Sequence, residues 1–202
     1  MFDNNRPYRP LADILRPAAF NEIIGQPALA ATGLEQLTSG SLVLWGPPGT
    51  GKTTIARVLG GESDAFFAAI SAVFDGVGEL RKVFAAAEAR ANDNIQTILF
   101  VDEIHRFNKA QQDALLPAVE AGIIRLIGAT TENPSFSLNS ALLSRVQIIV
   151  LGALDEAALH QLVSRAEAHY ERNLPVTDDA RAAVVAYADG DGRYVLNLVE
   201  RL

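Results

Sequence analysis

The chain of 202 residues contains no cysteine, so disulfide frameworks, zinc–thiolate sites and cysteine nucleophiles are all excluded. Histidine occurs three times, and although His105 falls next to Asp102-Glu103, no second histidine stands at ligand spacing, since His160 and His169 lie far along the chain, which leaves little for a histidine-built metal centre. No apolar run approaches the ~20 residues needed to cross a bilayer, and the opening MFDNNRPYRP lacks the apolar core of a signal peptide. These absences predict a soluble, intracellular, cytoplasmic protein with no membrane partner. Cations are also in short supply. Seventeen Lys and Arg face 24 Asp and Glu, for a formal net charge of −7, so any nucleic-acid contact has to rest on a local basic patch. What is abundant is apolar: 49% of residues are hydrophobic against 20% charged, the composition of a globular domain with a substantial core. No internal repeat or low-complexity tract interrupts it.

Along the chain, short β-rich runs alternate with segments of helical periodicity. Strands are expected at Ser41–Trp45, Phe66–Ile70, Thr97–Val101, Ile123–Ala129 and Gln147–Leu151. Between them, helices are expected at Thr53–Leu59, Glu79–Ala91, Gln111–Ala121 and Ala141–Arg145, with Pro117 placed to bend the third. Alternation of this kind predicts an α/β fold with a mostly parallel, doubly wound sheet. From Asp155 the pattern becomes helical only (155–171, 177–189 and 192–202), which predicts a small all-helical lid. The boundary is placed so that 1–152 forms the nucleotide-binding half, with 1–19 as an N-terminal arm, and 153–202 forms the lid.

Gly46-Pro47-Pro48-Gly49-Thr50-Gly51-Lys52-Thr53 satisfies G-x-x-x-x-G-K-[ST] between an apolar strand and a helix. Glycines let successive N–H groups point into a phosphate-sized hollow, Lys52 reaches β- and γ-phosphates, and Thr53 offers a hydroxyl to Mg²⁺. Thr54, next in the helix, joins the candidate nucleotide contacts. Asp102 and Glu103 follow directly on the strand ending at Val101, at the edge where ligands bind in parallel sheets. By themselves they would be an ordinary solvated acidic turn. Beside a phosphate loop, Asp102 is the candidate to support Mg²⁺ and Glu103 the candidate to orient or deprotonate water. Arg145 is either a solvated arginine at a helix end or a guanidinium reaching a neighbouring subunit's γ-phosphate, and Arg193 is either an ordinary helix-start arginine or a lid residue closing on nucleotide. Arg81, Lys82, Arg106 and Lys109, with Phe107 among them, form a modest basic group that is either a solvated surface or a contact for a phosphate backbone.

The texts GPPGTGKTT, ILFVDEIHRFNKAQQDALLP, IGATTENPSFSLNSALLSR and DGDGRYVLN closely resemble the replication-associated recombination protein A family, relatives of the Werner-helicase-interacting ATPases. These are AAA+ ATPases allied to clamp loaders and to the Holliday-junction branch-migration motor. The resemblance runs from about Arg9 to Leu202. It implies an AAA+ core that binds ATP with Mg²⁺ and hydrolyses it. Gly46 to Thr53 then corresponds to Walker A and Asp102-Glu103 to Walker B. Thr130 corresponds to the sensor-1 residue, with Thr131 as the alternative, Arg145 to a trans-acting arginine in a Ser-Arg motif, and Arg193 to the sensor-2 arginine. FNEIIGQ at 20–26 is similar to the segment that wraps adenine, with Ile24 and Gly25 as candidate contacts.

The implied role of the full-length family is maintenance of stalled or damaged replication forks, with single-stranded or forked DNA and fork proteins as partners, homo-oligomeric assembly, and a place at the nucleoid. A clamp-loader subunit or branch-migration motor is one alternative, and a nucleotide-gated binding module with little turnover is another. Family members continue into a helical assembly region, so this chain is expected to be an AAA+ core that lacks it. Gly60-Gly61, where a helix former is expected, and Ser137, where an acid is expected, depart from the family pattern.

Overall fold

The computed structural model describes residues 8–202. The expectation for residues 1–7, part of the N-terminal arm, lies outside them. Five strands, β1 (Leu42–Trp45), β2 (Phe66–Ser71), β3 (Thr97–Asp102), β4 (Ile124–Thr130) and β5 (Gln147–Val150), form one all-parallel sheet in the order β2-β3-β4-β1-β5. The inner strands are mostly apolar because both faces are covered, with the buried Arg125 of β4 as an exception. Successive side chains then point to opposite sides. Val43, Leu99, Val101 and Leu126 enter one hydrophobic cluster, whereas Leu42, Leu44, Ile98, Phe100 and Ile127 enter the other.

Three short helices precede the sheet: α1 (Leu11–Ile14), α2 (Pro27–Thr32) and α3 (Leu34–Ser39). The last two are absent from the sequence reading, since six residues on either side of Gly33, at φ +81°, are too few to display a helical period. They cover the sheet with Leu29 and Leu37. Within the α/β half, α4 (Lys52–Gly61), α5 (Val77–Asn92), α6 (Lys109–Glu120), α7 (Pro134–Ser137) and α8 (Ser140–Leu143) make the connections. The helix α4 runs through Gly60-Gly61 instead of stopping before them. A β-carbon on Gly60 would meet the Phe67 ring at 2.6 Å, so glycine here makes room for a packed aromatic. Likewise α6 continues past Pro117, and its start is pinned by a capping box in which Asn108 and Gln111 bond reciprocally at 3.0 and 2.9 Å.

After β5 come α9 (Glu156–Tyr170), α10 (Asp178–Ala188) and α11 (Gly192–Val199), capped at their starts by Asp155, Thr177 and Asp191. They share a hydrophobic cluster of their own that includes Val163, Ala166, Val185 and Val195. Leu11 from α1 is buried in that cluster, and its N–H donates to Glu200 at 3.1 Å. The segment grouped by sequence with the sheet half is thus packed on the helical half.

Candidate functional site

The carboxyl ends of β1 and β3 open on the same side of the sheet, separated by β4. The loop leaving β1 is shaped by glycines that cannot be replaced without collision. A β-carbon on Gly46 would lie 2.4 Å from the Leu151 carbonyl, and one on Gly49, at φ +71°, would lie 1.9 Å from the Asp191 carboxylate. Gly51, at φ +89°, turns the chain into α4, whose first N–H groups therefore face the loop. The Lys52 ammonium donates to the carbonyls of Gly46 and Pro47, both at 2.8 Å. Burial pushes its pKa down, and the neighbouring Glu103, Asp102 and Asp191 carboxylates oppose that shift. A cation held in this way is matched to polyphosphate, whose charge compensates the desolvation.

Asp102 closes β3, and Glu103 follows with φ +52°, a left-handed conformation that a non-glycine residue adopts at a cost of about 1–3 kcal/mol. The turn Ile104–Arg106 comes next, anchored by fully buried Ile104. Glu103 accepts from the Thr131 hydroxyl at 3.5 Å and lies 3.2 Å from His105 Nδ1.

Loop and acids share one cleft of about 310 Å³. It is lined by Pro48 to Thr54, Asp102, Glu103 and Thr131 together with the apolar Leu15, Ile23, Ile24, Leu162 and Leu196, of which Leu15, Ile24, Leu162 and Leu196 belong to one hydrophobic cluster. Arg16, Arg165 and Arg193 stand around it. The lid meets the loop directly, through a Gly192 N–H that donates to the Gly49 carbonyl at 3.2 Å. Among the described residues no cluster of three or more His, Asp or Glu could cage a metal. Thr53 and Asp102 instead supply the few hard oxygen donors that suit Mg²⁺, which takes the rest of its shell from phosphate and water.

Most of the sequence-predicted residues converge here: Pro48 to Thr54, Ile24, Asp102, Glu103 and Arg193 all line the cleft. Gly46 and Pro47 contribute carbonyls to Lys52 instead of wall. Gly25 stands outside, packed against Leu154 and Ala158 of the lid. Thr130, fully buried, turns its hydroxyl to His105 at 3.0 Å, and its neighbour Thr131 faces the cleft. Arg145 lies outside the cleft, paired with Glu120 and donating to the Ala141 carbonyl at 2.7 Å and the Ser144 hydroxyl at 2.8 Å. Of the basic group, Phe107 is buried in the core, and Lys82, on the surface, pairs with Glu79 at 2.9 Å. Sequence reasoning missed Leu15, Arg16, Ile23, Leu162, Arg165, Asp191 and Leu196. Ile23 lay within the FNEIIGQ segment and Asp191 carried a signal as a helix cap beside Arg193; the others carried none.

Residues 42–154 match the model of the ATPase family associated with various cellular activities (AAA). The chain is 46% identical to replication-associated recombination protein A of Coxiella burnetii, covering 98% of this chain and 47% of that protein. It is 44% identical to the Escherichia coli K12 protein of the same name, over 96% of this chain and 46% of that one. It is also 41% identical to ATPase WRNIP1 of Dictyostelium discoideum, over 96% of this chain and 23% of that protein. The chain thus spans about half the length of the first two. Among solved structures, the Thermotoga maritima RuvB Holliday junction branch migration motor superposes with a TM-score of 0.72 at 28% identity, covering 93% of this chain and 64% of that one.

Proposed function

The chain belongs to the AAA family of ATPases, and from that premise we propose that its cleft binds Mg-ATP and hydrolyses the γ-phosphate by in-line attack of water. The observation that carries this reading is the convergence of Lys52, Thr53, Asp102 and Glu103 in a single cleft whose lining also holds a cluster of apolar side chains. The base occupies the apolar lining beside Ile24 and Leu196. Loop N–H groups and Lys52 hold the β- and γ-phosphates. Thr53 and Asp102 would hold Mg²⁺, which neutralises charge on the phosphate oxygens. Glu103 takes the proton of water as its oxygen bonds to the γ-phosphorus. The bond to the β–γ bridging oxygen breaks, and ADP leaves with that electron pair. Arg193 reaches the γ-phosphate from the lid, and a strand-end threonine completes the contacts: Thr130 in the family pattern, Thr131 by its place in the cleft. Arg145, outside its own cleft, serves a neighbouring subunit once it releases Glu120.

The role proposed for the protein is remodelling of stalled replication forks, on single-stranded or forked DNA with fork proteins, as a homo-oligomer located at the nucleoid. The relatives named for replication-associated recombination support this over a branch-migration motor, being 41–46% identical against 28% for the motor. The test is ATP turnover per protomer against protein concentration, with and without single-stranded and forked DNA, using Lys52→Ala as the blank. A rate that climbs with concentration or DNA is expected. A rate at the blank despite tight ATP binding favours a nucleotide-gated binding module, or a chain that needs more of its relatives' length to assemble; the same assay on a longer chain separates the two.

A further inference from the structure

One buried imidazole has no part in the chemistry above. His105 sits on the turn after Glu103 with its side chain 4% exposed and a carboxylate on either side. Nδ1 is 3.2 Å from Glu103 Oε2 and 3.0 Å from Thr130 Oγ1, and Nε2 is 3.5 Å from Glu132 Oε1. The Thr130 hydroxyl oxygen is 3.1 Å from the Glu132 carbonyl, to which it can donate, and it accepts the Glu132 N–H at 3.0 Å. A carboxylate only accepts. With the Thr130 proton on the Glu132 carbonyl, Nδ1–H has two acceptors within reach, Thr130 Oγ1 and Glu103 Oε2.

The support beneath the ring is rigid. Gly128 of β4 leaves out a β-carbon that would stand 3.0 Å from Ile104 Cδ1, which lets the turn pack flat on the sheet. Thr130 ends the same strand, and its carbonyl accepts the Gly46 N–H at 3.2 Å, so β4 is tied to the phosphate loop. The ring therefore joins the acid on the β3 side to the strand that borders the loop.

We infer that His105 is a positioning residue that holds the Glu103 carboxylate through Nδ1–H, with Thr130 as the second acceptor that keeps the ring in place. The inference rests on reading Glu103 as the group that polarises water. Without the ring, the carboxylate of this strained, left-handed residue keeps only the longer contact from the Thr131 hydroxyl at 3.5 Å, while Lys52, Thr53 and the loop N–H groups are untouched.

The test uses His105→Ala, His105→Asn and His105→Gln in the full chain. Asn places an N–H close to where Nδ1 stands, and Gln carries it further out. His105→Ala is expected to lose about tenfold or more in kcat, the usual effect of removing an outer-shell partner, with affinity for a fluorescent ATP analogue within about twofold. His105→Asn is expected to recover most of the loss and His105→Gln little. A second readout needs no turnover: the ¹⁵N spectrum of the imidazole is expected to show a protonated Nδ1 whose resonance moves in Glu103→Gln. An Nδ1 resonance indifferent to Glu103→Gln overturns the inference. So does unchanged kcat in His105→Ala while Glu103→Gln abolishes turnover, and both outcomes leave the reading of the cleft standing. Glu103→Gln with wild-type turnover overturns that reading itself. Should the chain turn over no faster than the Lys52→Ala blank, the nitrogen spectrum decides alone.

Discussion

The sheet half and the lid half hold their functional groups in different ways. Lys52, Asp102 and Glu103 stand on or beside elements whose side chains interlock across both faces of a parallel sheet, with Leu44, Ile55, Leu99 and Ile104 fully buried. Arg165 and Arg193 stand on helices with a separate core that includes Leu159, Val163, Val185 and Val199. Lid and loop meet where the Gly192 N–H donates to the Gly49 carbonyl and Asp191 crowds Gly49. Preorganised charge belongs on rigid elements, and parts that open and close belong on elements of lower local stability. By that rule the sheet half is the place for the groups proposed to act on phosphate, metal and water, while the lid brings Arg165 and Arg193 to the cleft from a core of its own.

The sharpest break of that division would come from Arg145. Arg145→Ala is expected to lower turnover of the assembled protein by ~10³ or more, the scale of a trans arginine, with ATP affinity unaltered in a binding titration. Glu103→Gln is expected to cost ~10²–10⁴ in turnover, as loss of a general base does, and to retain bound ATP. Both are sheet-half substitutions that act on rate; equal effects on affinity would dissolve the distinction.

Gly49→Ala probes the seam. The added methyl collides with Asp191 at a positive φ, so a stability loss of about 1–3 kcal/mol is expected in chemical denaturation, together with weaker nucleotide binding. Asp191→Ser in the same chain, which keeps a cap but shortens the side chain, is expected to return part of both.

The smallest expected effect is acid lability confined to the lid. Burial raises the Glu167 pKa, but the Leu174 N–H and Arg181 outweigh it and hold the carboxyl below its usual value. Stability from a depressed carboxyl is present above its unfolded pKa and is lost as pH falls through the folded one. Hydrogen exchange on acidification is therefore expected to rise first in α9 and α10, and Glu167→Gln is expected to remove that pH dependence.

The sheet half was legible because its signals are local. Five apolar runs fell within a residue or two of the five strands, and the glycine loop and following acids landed in the cleft as expected. Paired six-residue helices on either side of Gly33 were not legible, because neither shows two turns of periodicity. Nor were Leu162 and Arg165, ordinary residues on a lid helix until that helix is laid across the cleft mouth.

The order of residues was enough to mark the turn between β1 and α4 as the candidate phosphate loop, because a glycine pattern, a lysine and a strand-to-helix switch all lie within a few residues of one another. Tertiary structure alone decided between Thr130 and Thr131 for the cleft wall. Thr130 closes β4 with its side chain buried against His105 and the Glu132 backbone, and the chain bends after it, which leaves Thr131 at the cleft. It decided also that Asp191 lies over Gly49 and that His105 sits between two acids, since each arises where segments distant in sequence are brought together by packing.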